Sequence, residues 1–498
     1  MPSLVIRADA SASIGTGHVL RCLALAQAWR DRGGSVTFFT HTAIPASMEQ
    51  RLRDEGMQVV RHEFAPGSTE DGAVLCTLAE KNSVVVVDGY VFGADYQRQI
   101  KNAGLPLLFL DDNGHVDHYH ADWVLNQNVH AQESLYTNRE AYTRLLLGTR
   151  YVLLRREFWR WRGWKRHTTT SNHLLITMGG SDSDNVTYKA IRAIRDLQLQ
   201  TSMTVTAVIG NGNPHLNMLR TYVHAHRLPV EFLFGVTDMP ALMAKSDMAL
   251  SAGGSTLWEL ALLQVPTIAV VTADNQKDGV ETLEAAQAVV SLGWHESVEQ
   301  ETIARQIEHL RQDFQQRASL VDAARALVDG EGVERVIAQI RGCPIRLRSV
   351  TEADSKLVWE WANDPTARQY AFNPAPIPWE NHVRWFEKQL ASDTAFIFIA
   401  FDADENPVGQ IRFEFDESKR AKISYSIDPE RRGAGLGTWL LQEGTDRLFR
   451  STSAAAAYGL VMNENIASRR AFEKANFMLA AGEFVNETNS LCYQRLRE

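Results

Sequence analysis

Short, continuous apolar runs dominate the first 340 residues, and most are followed by helical patterning. Residues 4–10 (LVIRADA), 35–40 (SVTFFT), 83–90 (SVVVVDGY) and 106–112 (PLLFLDD) form one series. Residues 173–180 (HLLITMGG), 202–210 (SMTVTAVIG), 230–236 (VEFLFGV), 247–254 (DMALSAGG) and 266–276 (PTIAVVTADNQ) form a second. A strand with one wet face alternates polar and apolar residues. A strand that is apolar throughout is covered on both faces, as in a parallel sheet layered between helices. The pattern predicts two Rossmann-like α/β blocks, joined near residues 150–170 and facing a cleft. The helical stretch over residues 17–32 stops at Gly33 and Gly34. Helical patterning then fills residues 298–341.

Gly342, Cys343 and Pro344 break that pattern, and the texture changes. Residues 345–350 (IRLRSV) read as a strand, followed by a helical stretch with Trp359, Trp361, Trp379 and Trp385. Residues 395–401, 407–415 and 421–427 alternate in the manner of a mainly antiparallel sheet. The tryptophans lie at helical spacing, which fits core packing; stacking on uracil or a sugar ring is the other reading. Three domains are expected, at 1–160, 161–342 and 343–498, which suits a chain of 498 residues.

Composition narrows the partners. The chain is 45% hydrophobic and 22% charged, as globular domains are. A net charge of −9 disfavours a general nucleic-acid binder. The four cysteines lie far apart without CxxC spacing, against a disulfide framework or cysteine-based zinc site and in keeping with a reducing cytoplasm. No apolar run approaches the ~18 residues of a membrane span. Arg7 and Asp9 interrupt the N-terminal apolar stretch, which reads as a first strand and not a signal peptide. A soluble cytoplasmic protein is expected, without stable membrane insertion.

In the first two blocks, the residues suited to chemistry fall at the C-terminal ends of strands, where open α/β sheets bind ligands. They are Asp9, Asp88, Tyr90, Asp111 and Asp112, then the pairs Gly179–Gly180 and Gly253–Gly254, then Asn275 and Gln276. Gly15, Thr16, Gly17 and His18 follow the first strand and open a helix whose free N–H groups favour anions. His18 and Arg21 share a face of that helix, and a helix N-terminus favours the neutral imidazole that a general base needs. A capping imidazole on an ordinary strand–turn–helix is the alternative. Gly253, Gly254, Ser255 and Thr256 form a second candidate diphosphate cradle. Glu259 completes a capping box with Thr256 or grips two ribose hydroxyls. Gly179, Gly180, Ser181 and Asp182 make a weaker glycine turn. Residues 158–166, FWRWRGWKR, interleave basic and aromatic residues; packing across the hinge competes with a membrane or nucleic-acid contact. His115, His118 and His120 beside Asp111 and Asp112 tempt a metal reading, but no metal is expected.

These motifs, read together as RADASASIGTGHVLRCLALA, VVDGY, DDNG, NQN, MGGSD, SAGGSTLWELA and DNQ, resemble the UDP-sugar hydrolase family of pseudaminic acid biosynthesis. The resemblance covers residues 1–340 and implies a GT-B-like fold. It implies hydrolysis of UDP-2,4-diacetamido-2,4,6-trideoxy-β-L-altropyranose to UDP and free sugar, and links the chain to other enzymes of that sugar pathway. It further implies that His18 activates water, that Tyr90 and Asn275 lie at the sugar, and that the glycine turns and Glu259 hold UDP. Its DD motif accounts for Asp111 and Asp112.

In the last domain, the strand at 421–427, ending in Ile427, runs into Arg431, Arg432, Gly433, Gly435, Leu436 and Gly437, an R-x-x-G-x-G turn before a helix. Backbone N–H groups there suit a pyrophosphate and the arginines add charge. Asn463, Asn465, Ser468, Phe472, Glu473 and Lys474 follow the next strand. The order resembles the GNAT N-acetyltransferase superfamily across residues 345–498, a fold of α+β class. Residues 345–365 are similar to the acetyltransferase of the same pathway. That resemblance implies acetyl-CoA as co-substrate and the 4-amino group of UDP-4-amino-4,6-dideoxy-N-acetyl-β-L-altrosamine as acceptor. Phe472 stands where many members place a tyrosine acid, so Tyr425, a water, or departure of the thiolate fills that role. Glu464 and Glu414 are candidate bases, and Asn465 faces the pantetheine arm or the helix N-terminus. Asn476 replaces the glycine usual before Phe477. A bifunctional hydrolase–acetyltransferase leads. A GT-B glycosyltransferase fused to an acetyltransferase, or one half that only binds, are the alternatives.

Overall fold

The computed structural model describes residues 1–11, 14–166, 171–197, 203–210, 212–342, 345–392, 394–402, 405–480 and 490–497. Ala12 and Ser13 of the first glycine motif, Ser202 of an expected strand, and Cys343 and Pro344 of the expected junction lie outside these residues. The chain forms two compact units, Met1–Ile340 and Arg341–Glu498.

The first unit holds two parallel sheets. Strands β1 (Leu4–Ala8), β2 (Val36–His41), β3 (Gln58–His62), β4 (Val84–Asp88), β5 (Leu107–Leu110), β6 (Trp123–Asn126) and β7 (Arg144–Leu147) lie in the order 3-2-1-4-5-6-7. Strands β8 (His173–Thr177), β9 (Thr204–Ile209), β10 (Val230–Phe234), β11 (Met248–Ala252), β12 (Thr267–Val271) and β13 (Val290–Trp294) lie in the order 10-9-8-11-12-13. Every residue of β1, β4, β5, β11 and β12 is buried, in keeping with their largely apolar character. Strand order reverses between β1 and β4 and again between β8 and β11. The loops leaving those strands diverge there and open a crevice at the carboxyl edge.

Arg7 sits fully buried inside β1. It is tolerated because Asp71 receives its Nε and Nη2 at 3.0 Å each, and Asp9 receives Nη1 at 2.5 Å. β3, β6, β7 and β13 were not read from sequence. β6 and β7 are four residues each, and β13 carries Gly293 and a register shift. The helix Gly332–Ile340 closes this unit. Its Val333, Val336 and Ile337 join the core of the first block, against the Gly17–Arg30 helix. The last helix of the stretch expected as the second domain thus packs on the first.

The basic–aromatic run is used internally. Phe158 is buried, and Trp161 meets Trp164 edge-on at 5.4 Å. Arg162 Nε donates to Gly330 O at 2.9 Å, and Arg166 donates to the carbonyls of Met243, Ser246 and Leu263.

The second unit is one sheet. Strands β14 (Arg346–Ser349), β15 (Ala395–Phe401), β16 (Pro407–Phe415), β17 (Arg420–Ile427), β18 (Ala456–Met462), β19 (Met478–Leu479) and β20 (Ser490–Leu496) run 14-15-16-17-18-20-19. All pairings are antiparallel except β17 with β18. That parallel pairing covers Arg420–Ile423 against Ala456–Gly459 and then stops, so the ends of β17 and β18 splay apart. Trp361 packs with Val358 and Phe386 in a small core, and Trp359 Nε1 donates to Ile377 O at 2.8 Å. Among the described residues, no helix is long and apolar enough to cross a membrane.

Candidate functional site

A cavity of about 1090 Å³ lies between the two sheets of the first unit. From the first block, Gly15, Gly17, His18, Arg21 and Tyr90 line it. From the second come Gly179, Gly180, Ser181, Gly253, Gly254, Ser255, Thr256, Glu259, Asn275 and Gln276. Both switch points feed it: the His18 loop leaves β1 and Asp88 ends β4, while the two glycine turns leave β8 and β11. Asp9 is the exception. Its carboxylate is turned to Arg7 and accepts from the backbone N–H of His41 at 2.7 Å, so it braces the strand end and does not line the cavity.

His18 lies one residue into the Gly17–Arg30 helix, which has no side-chain cap. The N–H groups of Gly17, His18 and Val19 make no hydrogen bond among the described residues, so this end of the helix offers bare donors to the cavity. His18 Nδ1 is 2.6 Å from Asp88 Oδ1. Burial alone would raise the Asp88 carboxyl, but Arg21 and His18 hold it well below the usual carboxylate range. An ionised carboxylate only accepts, so Nδ1 carries a proton, and in the neutral tautomer the lone pair lies on Nε2. Nε2 has no hydrogen-bond partner among the described residues.

Arg21 bridges two carboxylates. It donates to both oxygens of Asp88 at 2.6 Å each and to Asp112 at 2.8 and 3.0 Å. Tyr90 donates to Asp112 Oδ2 at 2.8 Å, and Asn275 Nδ2, from across the cleft, donates to Tyr90 Oη at 2.8 Å. Burial and the Asp112 charge push the Tyr90 phenol above its ordinary range, so it stays a donor. Asn128 Nδ2 adds a bond to Asp112 Oδ1 at 2.8 Å. Asp88 and Asp112 sat at predicted strand ends but were not assigned to the site. A carboxylate ending a strand beside the β1 loop was the signal for Asp88.

The second block supplies turns that come close to the first. A Cβ on Gly180 would lie 3.6 Å from Thr16 Oγ1, and one on Gly253 would press on Val280 at 2.6 Å. Gly179 adopts φ +82°, which favours glycine. Asp182 caps the Val186–Asp196 helix, accepting from the N–H of Val186 at 2.8 Å and Thr187 at 3.2 Å. That helix end is already satisfied. The capping box that was one of the two readings of Thr256 and Glu259 does not form. Thr256 is the first helical residue, Ser255 is the N-cap, and Glu259 accepts from Arg155 Nη2 at 2.6 Å. The N–H groups of Gly254, Ser255 and Thr256 remain without partners among the described residues. Gln276 Oε1 accepts from the N–H of Thr272 at 2.9 Å and so holds its own loop.

In the second unit, Gly433 and Gly435 take φ +85° and +79°, and Gly435 is the N-cap of the Leu436–Ser451 helix. The N–H groups of Leu436, Gly437 and Thr438 are unbonded among the described residues, at the end of the turn that leads from β17 into this helix. Arg431 pairs with Asp402 at 3.2 Å and Arg432 with Asp364 at 2.5 Å. Tyr425 is pushed above the ordinary phenol range by burial and donates to Ser468 Oγ at 3.1 Å. Its ring lies against Gly437, where a Cβ would sit 3.4 Å away. Glu464 is exposed, and Glu414 pairs with Arg412 at 3.4 Å.

Asn465 caps the Ile466–Lys474 helix through Oδ1 to Ser468 N at 3.0 Å, so the helix end and not a ligand takes that oxygen. Phe472, read as a cofactor contact, is 2% exposed and packed against Phe477 and Tyr493 in the core. It can act on a ligand only through packing. Asn476 adopts φ +63°, the conformation its usual glycine would have, so the turn survives.

Two family models match parts of the chain. Residues 173–338 match the glycosyltransferase family 28 C-terminal domain, and residues 345–478 match the acetyltransferase (GNAT) domain. The chain is 26% identical to the Bacillus subtilis spore coat polysaccharide biosynthesis protein SpsG, over 67% of this chain and 96% of that protein. It is 22% identical to the uncharacterized protein MJ1062 of Methanocaldococcus jannaschii, over 77% of each. It is 26% identical to the UDP-2,4-diacetamido-2,4,6-trideoxy-β-L-altropyranose hydrolase of Campylobacter jejuni, over 55% of this chain and 93% of that protein. The architecture is therefore a GT-B-like, Rossmann-type region followed by a GNAT α+β domain. A nucleotide-sugar-handling domain is fused to an acetyltransferase domain whose co-substrate is acetyl-CoA.

Proposed function

We propose that the chain is a two-site enzyme of UDP-linked amino sugars. The first unit cleaves the bond between the anomeric carbon and the diphosphate, passing the sugar to an oxygen nucleophile beside His18. The second unit acetylates a sugar amine with acetyl-CoA. The observation that carries the first half is the His18–Asp88 pair, with Nε2 unpartnered in a cavity fed by both switch points. His18 takes the proton of the nucleophile at Nε2, and Asp88 holds the ring and stabilises the imidazolium that forms. The bare N–H groups at Gly17 to Val19 and Gly254 to Thr256 take up charge as the diphosphate leaves. Glu259, fixed by Arg155, faces the ribose, and Tyr90 and Asn275 face the sugar.

Glycosyl transfer from a nucleotide donor is the reaction class, supported by the family 28 match of the second block. Water as the acceptor is its narrower form, supported by the similarity to the Campylobacter hydrolase over 93% of that protein. In the second unit, the amides of residues 433–438 hold the pyrophosphate of acetyl-CoA. Glu464 accepts the proton of the amine, and Tyr425 gives one to the leaving thiolate.

Incubation of the chain with the UDP-linked diacetamido sugar in ¹⁸O-water tests the acceptor. Hydrolysis predicts UDP release without added acceptor and one label on the released sugar. UDP release that requires an added hydroxyl compound, with unlabelled product, selects transfer. No UDP release under either condition would end the proposal.

A further inference from the structure

Beyond the cleft, the geometry points to a surface site for a divalent transition metal of the zinc class, held by His118, His120 and Glu140. The three ligand atoms lie within 4.8 Å of one another. His118 Nε2 and His120 Nδ1 are each 3.1 Å from the same oxygen, Glu140 Oε1. The backbone sets this convergence. A parallel bridge joins Tyr119 to Arg139, with Tyr119 N donating to Asn138 O and Glu140 N donating to Tyr119 O, both at 3.0 Å. In an extended segment, alternate residues share a face. Tyr119 points into the core and donates to Asp111, while His118 and His120 point outward beside Glu140. The buried Gln97 anchors the segment, its Oε1 accepting from His120 N at 3.0 Å and Ala121 N at 3.2 Å.

The surroundings of His118 argue for a cation. Asn138 donates through Nδ2 to Asp117 O, so its Oδ1 faces His118 Nδ1 at 2.8 Å and fixes the proton there. That leaves Nε2 facing the Glu140 carboxylate, where a metal ion would accept a lone pair from each. A ligand histidine whose other nitrogen donates to an oxygen is the usual arrangement around zinc. Two imidazoles and a carboxylate suit zinc and leave a fourth position open. The side chains of His118, His120 and Glu140 are 33%, 17% and 37% exposed, so an ion reaches the site from solvent. The histidine run considered with Asp111 and Asp112 thus acquires a different carboxylate, 20 residues further on, which no local motif contains. Bound metal would clip residues 117–121 to residues 138–140.

The tag-free full chain, stripped with chelator, is titrated with Zn(II) against a chromophoric competitor and with Co(II) under absorption spectroscopy. The site predicts one competing equivalent per chain, visible bands of low-symmetry Co(II), and a rise in Tm on adding Zn(II). His120→Ala and Glu140→Gln, verified as folded by circular dichroism, should lose all three. Absence of stoichiometric binding by the unaltered chain, leaving the cluster a protonated His118–Glu140 pair, would overturn the site. Binding that survives both substitutions would overturn it equally.

Discussion

Asp88 accepts from His18 on one oxygen and from Arg21 on both, and the chemistry proposed for the cleft depends on that arrangement. Asp88→Asn keeps the shape but gives the imidazole a partner that can also donate, so the wrong tautomer becomes available. UDP release should fall by about 10²–10⁴-fold in kcat with KM little changed; an equal loss spread into KM would point to ground-state binding instead. The same carboxylates govern acid stability. Burial would raise Asp88 and Asp112, but Arg21 holds both below their ordinary range. Groups with depressed folded values stabilise fully above their unfolded pKa of about 4 and lose that contribution as pH falls below it. Tm should hold from pH 7 to about 5 and drop below about 4; a flat profile to pH 3 would contradict the network. At this scale the sequence was legible in part. Cavity-lining residues of the first unit such as His18, Tyr90, Gly179 and Gly253 were read from strand ends and glycine spacing. Asp9 was read with them but does not line the cavity, because a strand-end carboxylate two residues from Arg7 is equally suited to pairing inward. Phe472 was placed by resemblance at the family's tyrosine position, which does not say that its ring packs into the core.

The proposed function gives the binding work of both units to glycine turns and parted strands, which are features of elements. The parallel sheets were legible because strands buried on both faces are apolar throughout. β6 and β7 escaped because four residues are too few for a period, and β13 because Gly293 interrupts it. The splay of β17 and β18 has no periodic signature; only the R-x-x-G-x-G turn behind it marked the place. Gly435→Glu should abolish acetyl transfer at that place. Position 435 has φ +79°, which costs a side-chain-bearing residue about 1–2 kcal/mol, and the new carboxylate would oppose a pyrophosphate. Thiol release with acetyl-CoA and the UDP-4-amino sugar measures it, and activity within a few-fold of the unaltered chain would remove the pyrophosphate from this turn.

At the scale of the molecule, two compact units hold the two proposed sites, in a chain whose net charge is −9. The proposed anionic substrates would therefore be met by local donors and not by the overall field: bare amides in both units, with Arg21, Arg431 and Arg432 already committed to aspartates. The central claim is that glycosyl–diphosphate cleavage belongs to His18 and acetyl transfer does not. The direct measurement supplies His18→Ala with acetyl-CoA and the UDP-4-amino sugar and follows free thiol and UDP in parallel. Thiol release at the unaltered rate with UDP release lost is the predicted result. Loss of both in a folded variant, or UDP release that persists, would contradict it.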